Sequence, residues 1–347
     1  MIDWILVVAP VAFSILVFGL ALGTDPIDVA VQEVTTPSTL EDRGYAAGTI
    51  YGLLERKIGE IVDGAGSARA PERIEVGTPD TAINAYAEIV NVERPVRATQ
   101  RLLNLVNYVA EVHFVAGDDK QITAVLRIRD SNSLKLLKFE RIQGQADSFE
   151  TLLDEIAKST VDLLEPYILT VYMYETAATE TDYQAVVDYA RQKIPVVSQD
   201  LLPWYYNLLG LVAAQSGDRD LAIEYYQEAI GLDGAFYLAY INWGHALAGQ
   251  GRQAEAIELY RFALGIEADA PIAHVYLAEV LTAQKRFEEA LAELAAGEAL
   301  APEFAEIYAA RTTVYEQLGL PELARRAHLR AETALLRQPR QNLYDTL

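Results

Sequence analysis

"WYYNLLGLVAAQSGDRDLAIEYYQEAI" (residues 204–230) sets Gly210 and Ala222 among bulky aromatic and aliphatic residues, on what reads as two short helices. The small residues recur. Gly210, Gly244, Ala278 and Thr312 fall 34 apart, and so do Ala222, Ala256, Ala290 and Ala324. Tyr226, Tyr260, Leu294 and His328 hold the bulky position four residues after each alanine, and Ala229, Ala263, Gly297 and Ala331 hold a small one after that. Two helices cross closely only where a small residue meets a large one, so a Gly or Ala kept in phase marks a helix pair repeated in series. The units run 203–236, 237–270, 271–304 and 305–338, and Tyr206 and Tyr226 are expected between the paired helices of the first.

These units resemble tetratricopeptide repeats, and the resemblance implies an all-α solenoid. Pro302 stands at the family's usual inter-repeat proline, where Gly234 and Ala268 replace it earlier. Arg311 and His328, at positions normally apolar, suit the last unit to a solvating cap. Residues 166–202 read as a degenerate helix pair covering the other end, with Ala185 and Tyr189 in the right relation. By the family's geometry the first helix of each unit lines a groove, near Asn207, Leu211, Leu238, Ile241, His245, Ile272, Val275 and Glu279. That set holds no Lys or Arg, so an apolar helix or a neutral-to-basic segment of a protein partner suits it better than an acidic terminus. Charges placed at Ile241 and Val275 together are expected to release such a partner.

Residues 27–165 read as an α+β domain. "IDVAVQEV" (27–34) alternates as a strand. Ser38 and Glu41 have the spacing of a capping box ahead of a helix carrying Ile50, Leu53, Leu54, Ile58 and Ile61, and "RIEV" (73–76) suits a short second strand. Helical stretches are expected near 81–90 and 96–106. "NYVAEVHFVA", "KQITAVLRIRD" and "SLKLLKFERIQ", joined by "GDD" and "SNS", predict an antiparallel meander, followed by a helix over 149–164 that packs on it. Tyr108, Val109, Glu111, Val112, Gly117, Asp118, Ile122, Thr123, Leu126, Asp130, Phe149, Asp154, Glu155, Ile156 and Ala157 follow the order of a TolB amino-terminal-like domain. The region is similar to that family, although Leu137 replaces its third-strand aromatic and the opening strand lacks its Pro-Phe ending. The resemblance implies a body outside the cytoplasmic membrane.

Residues 4–22 contain no charge and match the roughly 20 residues that cross a hydrocarbon core as a helix. One amino-terminal transmembrane helix, residues 4–23, is therefore expected, since no basic region precedes the run as a cleaved signal peptide would require. Ala12, Gly19 and Gly23 place small residues where a neighbouring helix could pack. Together with the resemblance, this leads to a single-pass protein of a bacterial inner membrane with a periplasmic body. Residues 339–347 form a tail.

The formal charge of −22 argues against a nucleic-acid ligand. There is no cysteine, and His113, His245, His274 and His328 are too scattered for a local ligand pair, so neither a thiolate nor a metal centre is expected. No phosphate-binding glycine loop or nucleophile elbow occurs, and no cofactor is implied. The expected function is non-catalytic: a membrane-anchored scaffold, accessory or assembly subunit that holds a protein partner of a membrane complex. The alternatives are a regulatory or sensing subunit whose α+β domain binds a small molecule, and an enzyme with an unrecognised site.

Overall fold

In a computed structural model, which describes residues 27–65, 76–77 and 106–337, the chain divides into two compact units, Met1–Asp63 with Ala70–Leu169 and Gly64–Arg69 with Thr170–Leu347. The proposed membrane helix with Ala12, Gly19 and Gly23, the helical stretches near 81–90 and 96–106, and the tail lie outside the described residues. Among the described residues no helix is long and apolar enough to cross a membrane.

In the first unit, period-2 alternation puts every second side chain of each strand on one face. Strands β1 (Ile27–Thr35), β2 (Val76–Gly77), β3 (Val106–Ala116), β4 (Gln121–Asp130) and β5 (Leu136–Gln145) form one sheet of order β2-β1-β3-β4-β5. The β3-β4-β5 meander is antiparallel, as its short turns require. β1 pairs parallel to both β2 and β3, so the sheet is mixed rather than a pure meander. Ala110, Val112 and Phe114 of β3 and Ile122, Ala124, Leu126 and Ile128 of β4 share a core with α2 (Ala47–Gly64) and α3 (Phe149–Leu164) through Ile50, Leu54, Phe149, Leu152 and Ile156.

The capping box does not form. Ser38 already belongs to the single turn α1 (Ser38–Glu41), Pro37 is its N-cap, and Glu41 accepts a hydrogen bond from Thr36 Oγ1 at 2.9 Å. Gly44, with φ +89°, breaks the chain before α2 begins at Ala47. Lys57 joins α2 to α3, lying 3.2 Å from Glu150 and 2.5 Å from Asp154. The two carboxylates raise its pKa against an opposing effect of burial, which is the largest single influence.

The second unit is helical. The division falls within α4 (Pro166–Thr176), and α5 (Glu180–Lys193) starts on a capping box between Thr179 and Asp182. Four helix pairs follow: α6 (Leu202–Gln215) with α7 (Arg219–Leu232), α8 (Tyr237–Gly249) with α9 (Gln253–Ile266), α10 (Pro271–Ala283) with α11 (Phe287–Leu300), and α12 (Ala305–Gln317) with α13 (Pro321–Arg337). Each turn inside a pair needs one residue in the left-handed region: Gly217, Gly251, Lys285 and Gly319, at φ between 61° and 85°. The rings of Tyr226 and Tyr260 lie against Gly210 and Gly244, whereas the third pair sets Ala278 and Leu294, both buried, at the same two positions. Tyr226 is buried as expected, but Tyr206 is only partly so, with its ring 6.4 Å from that of Tyr225.

Candidate functional site: the inner face of the helical array

Successive first helices, α6 with α8, α8 with α10 and α10 with α12, pack on one another across the repeats. Second helices pack chiefly on their own first helix and on the first helix that follows. The first helices therefore line the inner, tighter side of the array.

Helices α6, α8 and α10 are apolar almost all round, which lets each be clamped by its own second helix and by the neighbouring repeats, whereas α12 carries Glu306, Arg311, Thr313 and Glu316. The expected site residues divide accordingly. Asn207, Leu211, Leu238, Ile241, Ile272 and Val275 are all buried, at 0–8% exposure, inside the packing between helices. His245 and Glu279, at equivalent positions of α8 and α10, reach solvent from between the repeats that crowd around the imidazole and the carboxyl. Continuing the same row by 34 residues reaches Thr313, which is also exposed. The inner side of the array thus carries a narrow polar row over an apolar floor. The apolar residues named from sequence shape that floor from below.

Tyr276 was not singled out from sequence, yet it organises the row. Its ring lies 4.7 Å from the imidazole of His245 and 5.9 Å from the ring of Tyr260. Burial drives the Tyr276 hydroxyl well above its usual pKa, and the charges of Glu279 and Glu306 add to this. The surrounding repeats push the carboxyl of Glu279 upward as well. For His245 the effect is reversed: burial first, then the positive charge of Arg219, lower its pKa and favour the neutral imidazole. The 34-residue spacing from His245 and Glu279 was the signal that could have found Thr313. Nothing in the local sequence pointed to Tyr276.

Deeper in the array, Asn242 Nδ2 donates to Asn207 Oδ1 at 2.9 Å, and both side chains are buried. Asn207 Nδ2 has no hydrogen-bond partner among the described residues. His274 bonds to Glu293 at 2.8 Å, His113 to Thr35 at 2.8 Å, and exposed His328 lies 3.4 Å from Glu332. Among the described residues no three His, Asp or Glu side chains are placed to hold a metal ion.

Residues 205–236 and 247–313 match sequence models of the tetratricopeptide repeat, so this part of the chain consists of such repeats. Solved structures of similar helical arrays include MamA, at 18% identity over 45% of this chain and 91% of that one, with a TM-score of 0.38. The tetratricopeptide domain of Arabidopsis OM64 is similar at 20% identity over 35% of this chain and 99% of that one, TM-score 0.33. A third, the Cut9–Hcn1 hetero-tetramer, is similar at 17% identity over 58% and 40% of the two chains, TM-score 0.43. No curated protein sequence matches the chain.

Proposed function

We propose that this chain is a non-catalytic scaffold that holds a protein partner along the inner face of its repeats, and that residues 4–22 anchor it to a bacterial inner membrane as an accessory or assembly subunit. The observation that carries the reading is the row of His245, Glu279 and Thr313 beside Tyr276, polar positions that reach solvent along the inner helices. A row with one unionised imidazole and one carboxylate, and no Lys or Arg on it, suits a neutral-to-basic segment of the partner. The uncharged run at residues 4–22 supports anchoring, and the similarity of residues 27–165 to a TolB amino-terminal-like domain supports a periplasmic body.

Purification of the full chain through detergent tests the scaffold: a stoichiometric membrane complex is expected, and it should dissociate on the double substitution His245→Lys with Glu279→Lys. A monomer carrying a bound metabolite would overturn this in favour of a sensing subunit. Protease protection in spheroplasts tests sidedness, because cleavage of the repeats only after lysis of the inner membrane would remove the periplasmic assignment.

A further inference from the structure

The last repeat differs chemically from those before it. In a chain of formal charge −22, helix α13 carries Arg325, Arg326, Arg330 and Arg337 against Glu322 and Glu332. Its alanines 324, 327, 331 and 334 are buried, which turns the opposite face, with exposed Leu329 and Leu336, to solvent. Beside this face is a cleft of about 340 Å³ lined by Pro302, Glu303, Tyr308, Leu329, Arg330 and Arg337, among others.

One wall of the cleft carries two guanidinium groups, each beside a glutamate, with Arg311 adding a third positive charge next to Glu298. Arg330 lies 4.6 Å over the ring of Tyr308, and 3.1 Å from Glu298. Glu298 is already engaged by Arg311 at 2.7 Å and accepts from the Tyr308 hydroxyl at 3.1 Å. One carboxylate shared by two guanidinium groups leaves N–H donors of Arg330 uncommitted, since each guanidinium has five. Arg337, largely exposed, is 3.5 Å from Glu303.

We propose that this cleft is a second docking site, taking an acidic segment of a partner protein whose carboxylates pair with Arg330 and Arg337 while an apolar side chain settles on Leu329. Charge complementarity selects this occupant, because an acidic segment is repelled by most of this chain's surface and attracted here. The site is separate from the inner row of His245 and Glu279, which favours the opposite charge, and does not depend on that row holding a partner.

The test measures fluorescence anisotropy of a labelled Glu-Glu-Leu repeat peptide on the full chain in detergent, with a Lys-Lys-Leu peptide and phosphatidylserine vesicles as separate arms. The acidic peptide should bind, weaken as salt is raised, and lose at least about tenfold in affinity on Arg330→Glu with Arg337→Glu. Arg337→Glu alone, at an exposed side chain whose loss leaves the core intact, should give part of that loss. Absence of acidic-peptide binding, equal binding by the double variant, or binding of the vesicles in preference to the peptide would overturn the proposal.

Discussion

Gly244 lies flat against the ring of Tyr260: a Cβ added there would stand 2.6 Å from Cε1 and 3.0 Å from Cδ1 of the ring. The third repeat meets the same geometry with a larger residue opposite a smaller one, Ala278 and Leu294. Gly244→Ala should therefore cost about 1–3 kcal/mol by overpacking. Tyr260→Leu should also destabilise, by leaving a cavity. The double substitution copies the Ala278–Leu294 pair and should lose clearly less than the sum of the two. Urea denaturation of all four proteins gives the coupling, and strict additivity would mean that the two positions do not share one space.

The turn residue of the third repeat is the exception among its counterparts. Lys285 holds φ +61° where Gly217, Gly251 and Gly319 stand in the other pairs. A left-handed conformation costs a side-chain-bearing residue roughly 1–2 kcal/mol, while glycine loses about 0.5–1 kcal/mol through its freedom when unfolded. Lys285→Gly should stabilise the array by about 0.5–1 kcal/mol, read as a rise in the denaturation midpoint at unchanged slope. A fall would show that the Lys285 side chain makes contacts worth more than the strain.

Two glutamates of the array should respond to pH in opposite senses. Burial raises the Glu279 pKa, so the folded state holds its proton more tightly and loses stability as pH rises through that raised value. Glu279→Gln should raise Tm near neutral pH, with the gain disappearing below the ordinary glutamate pKa of about 4.3. Glu298 is held below its usual value, because Arg311, Tyr308 and Arg330 outweigh an opposing burial effect that is itself the largest influence. Its contribution is present above the ordinary pKa and is lost as pH falls through the lowered one, so Glu298→Gln should lower Tm at neutral pH and converge with the native protein in acid. Calorimetry from pH ~3 to ~8 checks both, and curves that move the same way would contradict the assignment.

Substitution on the inner face should separate partner binding from folding. Ile241 and Val275 are 1% and 2% exposed, so Ile241→Asp forces a charge into the core and should cost on the order of 4 kcal/mol. The pair His245→Lys and Glu279→Lys, at positions that reach solvent, should instead leave the helical circular dichroism nearly unchanged and shift Tm far less than Ile241→Asp, while abolishing complex formation. Loss of helicity in that pair, or a cooperative native-like unfolding transition for Ile241→Asp, would invert this division.

The repeats were legible because close helix crossing imposes a small residue at a fixed phase, and Gly210, Gly244 and Ala278 obey it locally. Helix α3 and the β3-β4-β5 meander were legible for a similar reason, since Leu152, Leu153 and Ile156 repeat at helical spacing and "GDD" and "SNS" suit hairpin turns. The parallel pairing of β1 with β3 was not, because alternation in Val29, Val31 and Glu33 says that a strand exists without naming its neighbour. The box at Ser38 and Glu41 failed at a single backbone decision, where Pro37 took the cap and Gly44 interrupted the helix. Exposure on the inner face was also hidden: Leu211 and His245 occupy equivalent positions, but only His245 reaches solvent. That difference arises from what neighbouring helices cover, which no single repeat encodes.

The Asn207–Asn242 bond makes one joint of the array non-interchangeable. Solenoids commonly lengthen or shorten by whole units, since each unit meets its neighbours through similar apolar faces. Excising residues 237–270 would bring Tyr276 to the place of Asn242 and strand the Asn207 carbonyl in the interior, at about 1–3 kcal/mol for one unsatisfied polar group. The buried amide pair thus works as a key between the first and second units: later units could be duplicated or lost by recombination with little penalty at this joint, whereas parting the first two leaves a buried amide unpaired.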